Sequence, residues 1–365
     1  NFMRTPKWLA GDLAVEQAAE AIRLDAADLI FDKPLEVLAA GVPSAIHAQP
    51  GRKIISADLS NIEGRVLAWL AGEQWKLDAF RHYDEDREDK TRDLYIIGYS
   101  KSFREPIADV VADYEAGGTK RQVGKVQELF LGYGGGVGAY VTGAQTYHLD
   151  LAPLALQIGT LPAPVVARAS EAYERAVEDG RAYDLERDVW IVLDAFKRLW
   201  RAANANTEAF WYALENAVRD VIWKPGTSRT VGLLAIDRVS NWLRIRLPSG
   251  TYLCYPSPKL GDEGEISYMG MNQYTRRWQR IPTYGGKLAE NVTQAVARDV
   301  LADAMLEADA AGFDTVMHVH DELVAEVPEG IDGQILADIL SNNPSWSDGL
   351  PLSAAWYESQ RYRKD

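Results

Sequence analysis

Cysteine is almost missing from this chain. One thiol, Cys254, among 365 residues cannot close an internal disulfide, which suits a reducing cytosol. Long apolar runs are missing too. None reaches the ~18 residues a membrane-spanning helix needs, so no membrane partner is expected. The stretch Asn1-Phe2-Met3-Arg4-Thr5-Pro6 has no apolar core and does not read as a signal peptide. Basic residues are in deficit: 39 Lys and Arg against 53 Asp and Glu leave a net charge of −14. Proteins that grip phosphate backbones usually carry a basic excess. The total therefore argues against nucleic-acid binding, unless the cations are confined to one cleft. There is no internal repeat and no low-complexity segment.

What is there is the balance of a folded protein. Hydrophobic residues make up 47% and charged residues 25%, which excludes a disordered or collagen-like chain. The length allows one large domain or two to three ordinary ones. Eleven tryptophans and 17 tyrosines offer large buried or stacking surfaces.

Residues 1 to 50 read as helix and loop, punctuated by Pro34, Pro43 and Pro50. Lys53-Ile54-Ile55-Ser56-Ala57-Asp58 reads as a short buried strand ending in an acid. Ser60 with Glu63 three residues on is a capping-box pattern, and apolar spacing predicts a helix over about 62–80. The charge run at 83–93 predicts an exposed loop or helix start. From there to about Trp223 the chain reads as nearly all helix, its longest pattern running from Leu185 to Ile222 and ending at Pro225-Gly226. Strands then return. Trp242–Leu247 and Tyr252–Tyr255 flank a Pro248-Ser249-Gly250 turn, with further short strands at 266–271 and 277–281. A helix over about 287–310 stops near Gly312. Two apolar strands, Val316–Val319 and Leu323–Val327, surround His320-Asp321-Glu322. The order predicts an α+β fold with an inserted helical subdomain.

Two features could carry chemistry. Asp58 ends an apolar strand, and Asp321-Glu322 sits between two others. Acids in such places are costly unless paired, hydrogen-bonded or metal-bound. If the strands are neighbours, Asp58 and Asp321 could converge on divalent cations ~3.5–4 Å apart, the arrangement used for phosphoryl transfer. The plainer alternative is a turn residue and a polar hairpin tip. The second feature is the run from Lys120 to Gly136. There Arg121, Lys125, Leu129 and Tyr133 step by four along one helix face. Two cations followed by an apolar and an aromatic residue suit a nucleotide, with phosphates at one end and base at the other. The plainer alternative is a solvated face with a glycine stop. The glycines lack the spacing of a phosphate loop.

Three segments in order resemble the polymerase motifs of family A DNA polymerases, the DNA polymerase I class. The first is Asp58-Leu59-Ser60-Asn61-Ile62-Glu63-Gly64-Arg65-Val66-Leu67-Ala68. The second is Arg121-x3-Lys125-x7-Tyr133-Gly134, and the third is His320-Asp321-Glu322-Leu323-Val324. Gln294 resembles that family's helix before the third motif, and Tyr284-Gly285-Gly286-Lys287-Leu288 resembles its phage and prophage branch. The resemblance spans about residues 50 to 330.

It implies a right-hand architecture, with an antiparallel palm sheet and helices at 1–80 and 225–365 and mostly helical fingers inserted at 81–224. It implies a template-directed DNA polymerase that adds dNTPs to a primer 3′-hydroxyl, with primer-template DNA as partner. Asp58 and Asp321 would hold two Mg²⁺ ions, Mn²⁺ serving as a substitute, and Glu322 would be a supporting acid. Arg121 and Lys125 would grip the triphosphate, with Lys125 also a proton donor to the leaving group. Tyr133 would close the nascent-pair pocket, and Glu63 would act as the steric gate against a 2′-hydroxyl. Gln294 and His320 would contact the primer and minor-groove side. Leu129 stands where the family usually has an aromatic residue, and Tyr95 where many relatives have a triphosphate-binding histidine. A phage-encoded enzyme would work in the cytoplasm of a bacterial host.

In this family a thumb and often an exonuclease domain precede the palm. The roughly 57 residues before Asp58 hold neither, and Asn1 to Pro6 resembles the interior of an early palm motif. The expectation is a catalytic part whose upstream region is trimmed, cleaved or a separate polypeptide. Two other functions stay open: a non-autonomous subunit that polymerises only with an upstream polypeptide, and a two-metal nuclease.

Overall fold

Glycines, capping acids and the period of the apolar residues divide the chain, and the computed structural model describes residues 12–363. It opens with three helices, α1 (Asp12–Arg23), α2 (Ala27–Ile30) and α3 (Pro34–Gly41). The helix-and-loop expectation for residues 1–11 lies outside the described part. The strand β1 (Arg52–Leu59) follows and runs one residue past each end of its expected span. The helix expected over 62–80 is two helices, α4 (Ile62–Ala71) and α5 (Gln74–Glu85). The break has a local cause. Gly72 takes a left-handed φ of 66°, and the buried Glu73 carboxylate turns to accept from the backbone N–H groups of Asn206 and Thr207, each at 3.1 Å.

The helical block continues with α6 (Leu94–Phe103), α7 (Ile107–Glu115), α8 (Lys120–Leu131), α9 (Val137–Thr146) and α10 (Ala163–Glu178). The single pattern at 185–222 is likewise two helices, α11 (Arg187–Ala203) and α12 (Ala205–Trp223). Asn204 separates them, its side-chain amide donating to the Trp200 carbonyl at 2.8 Å. Such local competition is how asparagine interrupts a helix.

Four strands then form one antiparallel sheet in sequence order, β2 (Ser228–Val231), β3 (Leu234–Val239), β4 (Trp242–Arg246) and β5 (Tyr252–Pro256). The hairpin read from the sequence is β4–β5. The strands β2 and β3 were not expected. A second small sheet joins β6 (Lys259–Leu260), β7 (Ile266–Met271) and β8 (Trp278–Thr283). The long helix α13 (Gly285–Ala310) ends at Gly312, whose φ is 85°. The chain closes with β9 (Asp314–Val319), β10 (Glu322–Pro328), α14 (Gly333–Ser341) and β11 (Ala354–Ser359). Of these, α14 and β11 had no clear sequence signal.

The chain divides into two compact units. The first holds residues 12–62, 298–345 and 352–363. Its centre is an antiparallel sheet in the order β11-β1-β10-β9. Ile54, Ile55, Ala57, Leu323, Val324 and Ala325 on its middle strands are at most 1% exposed. Both faces are covered, since α14 packs on β1 and β11 while Ala48 and Tyr362 join Ile54 and Val324. Strands buried on both sides read as continuous apolar runs, which is why β1 and β10 were legible. The second unit holds residues 63–297 and 346–351, with α5 to α12, nearly all of α4, and the two smaller sheets. The fold is thus a mixture of helices and antiparallel sheets. Among the described residues, no helix is long and apolar enough to cross a membrane.

Candidate functional site

In the first unit, β1 and β10 run antiparallel with Asp58 opposite Glu322 and Ser56 opposite Val324. Residues directly opposite, and those two apart along a strand, share a face. Ser56, Asp58 and Glu322 therefore project to one side. Glu322 is 3% exposed. Its Oε1 accepts from the Ser56 hydroxyl, and its Oε2 accepts from the Tyr362 hydroxyl at 2.8 Å. The Tyr362 hydroxyl is pushed up from its ordinary pKa, first by burial and then by Glu322, with Asp58 adding a smaller push. The register sets Asp58 beside Glu322.

The turn is tighter than the sequence suggested. Val319 pairs with Glu322, so only His320 and Asp321 form the tip, and Glu322 already lies in the strand. His320 is exposed and takes a φ of 59°, a strained conformation for a side chain with a Cβ and one that concentrates at functional sites. The Leu59 N–H donates to the Asp321 carbonyl at 3.1 Å. The backbones bearing Asp58 and Asp321 are thus one strand spacing, ~4.8 Å, and one residue apart. Among the described residues, no group of three or more His, Cys, Asp or Glu side chains forms a metal cage. The donors offered by Asp58 and Asp321 are carboxylate oxygens, the chemistry that suits Mg²⁺ held by one or two carboxylates together with substrate phosphates.

In the second unit, α8 carries the cations on one side and anchors itself by the other. Glu128 forms a buried ion pair with Lys76 at 2.6 Å and accepts from the Trp200 indole N–H at 2.8 Å. The buried Gln127 donates to the Phe196 carbonyl at 3.3 Å. Gly124 lets α6 approach, because a Cβ there would lie 2.2 Å from the Tyr95 carbonyl oxygen. Across this contact the Arg121 guanidinium bonds Asp93 through Nε at 3.0 Å and Nη2 at 2.7 Å. It also lies 5.2 Å from the Tyr95 ring centroid and 5.4 Å from that of Tyr114. The other Asp93 oxygen caps α6, accepting from the N–H groups of Tyr95 and Ile96. Burial raises the Tyr95 hydroxyl to about 12, with Asp93 adding to the shift. The Lys125 ammonium sits 4.0 Å from the Tyr147 ring centroid. Leu129 is exposed on the same helix.

The four-step row predicted to run to Tyr133 ends early, since α8 stops at Leu131. Tyr133 lies beyond the helix, before Gly134 with its φ of 79°. Its hydroxyl donates to Glu63 Oε2 at 3.2 Å, and Gln294 Nε2 donates to Glu63 Oε1 at 3.3 Å. Three residues singled out separately in the sequence thus meet through one carboxylate. Burial, then Glu63, pushes the Tyr133 hydroxyl well above its ordinary value. In the capping box expected between Ser60 and Glu63, the half in which Glu63 accepts from the Ser60 N–H is not made. The Ser60 N–H donates to Ser353 instead, at 2.9 Å, and both Glu63 oxygens face Tyr133 and Gln294. The Gly285-Gly286 pair has a packing reason, because a Cβ on Gly286 would lie 2.1 Å from the Tyr133 carbonyl oxygen.

Sequence reasoning missed Ser56, Tyr362, Asp93 and Tyr147. Asp93 alone carried a signal, as an acid directly before an apolar helical run. The others act across long sequence separations.

No protein-family model matches the chain. A DNA polymerase of Bacillus phage SP02 is 33% identical to it over 348 residues, covering 93% of this chain and 46% of that protein. The chain therefore spans about half the length of the curated relative it matches. The solved POL domain of Pol1 from M. smegmatis, in complex with DNA primer-template and dNTP, aligns at a TM-score of 0.47 and 16% identity, covering 88% of this chain and 42% of that one.

Proposed function

We propose that the chain is the palm and fingers of a phage-type family A DNA polymerase, with palm at 1–80 and 225–365 and fingers at 81–224. The observation that carries this reading is the β1–β10 register, which makes neighbours of the Asp58 and Asp321-Glu322 motifs from opposite ends of the sequence. The 33% identity to a phage DNA polymerase supports it.

In this reading Asp58 and Asp321 hold two Mg²⁺ ions. Bound magnesium there would lower the pKa of the primer 3′-hydroxyl and balance charge on the triphosphate. Glu322 keeps the end of β10 rigid through its two hydroxyl donors. Arg121 and Lys125 orient the triphosphate, and Lys125 Nζ gives a proton to the departing pyrophosphate. Tyr133 closes the pocket over the nascent pair. Glu63, held by Tyr133 and Gln294, stands against a 2′-hydroxyl. Tyr95 replaces a charged phosphate ligand with a neutral donor. Gln294 and His320 steady the primer side.

Primer extension with Mg²⁺, primed template and dNTPs is the test. Extension that survives Asp58→Ala and Asp321→Ala removes the assignment. Glu63→Ala is expected to raise ribonucleotide incorporation. The same assay with an upstream polypeptide added separates an autonomous catalytic part from a subunit that needs a partner.

A further inference from the structure

The hairpin β7–β8 departs from the acidity of the rest of the chain. From Ile266 to Thr283 it carries Arg276, Arg277 and Arg280 and no acid, in a chain with 53 Asp and Glu. Its connecting loop is tightly held. Asn272 Oδ1 accepts from the N–H groups of Tyr274 at 3.0 Å and Thr275 at 2.9 Å. The Asn272 N–H donates to the Arg277 carbonyl at 2.9 Å, and the Arg276 N–H donates back to the Asn272 carbonyl at 2.8 Å. Arg276 itself takes a φ of 51° to close the turn.

This fixed tip presents aromatic rings to water. Tyr274 is 96% exposed and Trp278 59%. Met271, directly opposite Trp278 in the register, is also exposed. Arg276 and Arg277 are exposed and form no ion pair among the described residues. A ring in water contributes little to a core, yet the loop spends four hydrogen bonds on presenting it. Rings offer faces to unpaired bases, and guanidinium groups without neighbouring acids offer charge to phosphates. Duplex DNA hides its base faces, so rings favour a single strand.

We infer that the β7–β8 hairpin binds single-stranded DNA, with Tyr274 and Trp278 stacking on bases and Arg276 and Arg277 pairing with phosphates. The inference rests on the polymerase reading only in taking DNA as the strand. The surface is outside the motifs assigned to nucleotide and metal.

The test is fluorescence anisotropy of the full chain with a labelled oligo-dT, at several salt concentrations, unfolding curves confirming that each variant is folded. The double variant Tyr274→Ala/Trp278→Ala is expected to weaken binding by at least ~10-fold, the scale of lost base stacking. Arg276→Ser with Arg277→Ser is expected to flatten the slope of log K against log salt by about 1.4, or 0.7 per phosphate contact. Tyr212→Ala, an exposed tyrosine on α12, serves as the control and keeps the native affinity. Native affinity in the aromatic variant overturns the proposal. So does an unchanged salt slope, an equal loss in Tyr212→Ala, or no binding by the native chain at low salt, which would leave the rings to a protein partner. Oligo-dT binding by Asp321→Ala keeps the two readings apart. Lost extension with retained binding supports both, whereas retained extension sinks the metal assignment without touching the hairpin.

Discussion

The acids of β1 and β10 and the cations of α8 are positioned by opposite means. Asp58 at the end of β1 and Asp321 in the tip before β10 are brought together by a register between strands more than 260 positions apart. Arg121 and Lys125 are set by helical spacing within a dozen residues. Their restraints differ as well. Glu322 is buried and accepts from the hydroxyls of Ser56 and Tyr362. Arg121 rests on Asp93 and two aromatic rings, and Lys125 on the face of Tyr147. Hydroxyl donors on a buried carboxylate make a rigid, negative strand end. Ring faces hold a cation only weakly, so an incoming anion can draw Arg121 and Lys125 from them, while the Asp93 carboxylate beside Arg121 is only 14% exposed. The first region is built to stay as it is and the second to exchange contacts.

This contrast is broken most directly by removing charge from each side. Asp58→Ala and Asp321→Ala are each expected to lower primer extension by at least ~10³-fold, because each removes one of the two carboxylates proposed to hold the metal. Lys125→Ala should lower kcat by ~10²-fold, the usual scale for losing a positioned proton donor. Arg121→Ala should raise the dNTP KM by ~10-fold, with a smaller effect on kcat, since one hydrogen-bonded charge contact is lost. Equal losses on both sides, measured by single-turnover extension, would show that the cations are as unforgiving as the acids.

These differences also decided what could be read from the sequence. The strands β1 and β10 were legible because burial on both faces makes a run such as Ile54-Ile55-Ser56-Ala57 almost wholly apolar. The helix bearing Arg121 and Lys125 was legible from its spacing. Boundaries were lost where a single residue changed the local backbone, as Gly72 does between α4 and α5 and Asn204 between α11 and α12. Tyr133 was placed one step too far along the helix for the same reason. The supporting residues were invisible. Tyr362 reaches Glu322 across 40 positions and Ser56 reaches it across 266, and neither leaves a local pattern. Hairpin β7–β8 was found as strands, but its exposed rings only emerged once the register placed Met271 beside Trp278.

Gly124→Ala sharpens the comparison at the level of packing. The added methyl meets the Tyr95 backbone rather than a movable side chain, so α6 and α8 must separate. A cost of about 1–3 kcal/mol is expected, read from urea unfolding, together with a raised dNTP KM as Arg121 leaves Asp93. A variant as stable as the native chain and with an unchanged KM would show that the α6–α8 spacing does not position the cations.

The smallest expected effect compares a tyrosine from each region at high pH. Tyr95 and Tyr362 both titrate above the ordinary tyrosine value of 10.0, burial being the main cause in each. Beside Tyr362 the next cause is the Glu322 carboxylate, which raises the shift further. Beside Tyr95, Asp93 raises it while Arg121 opposes, and the hydroxyl stops at about 12. A raised folded pKa stabilises fully below the unfolded value and is lost as pH climbs through the folded one. For Tyr95 the window is pH 10 to 12, and for Tyr362 it reaches higher. Phenylalanine at either position removes the group that titrates, so stability should fall less steeply with alkali. Tyr362→Phe should flatten the curve more than Tyr95→Phe, even though it leaves a Glu322 oxygen without its donor and lowers stability at neutral pH by about 1–2 kcal/mol. Urea midpoints measured from pH 8 to 12 give the slopes, and a larger flattening from Tyr95→Phe would mean that Arg121 does not offset the field of Asp93 as the geometry requires.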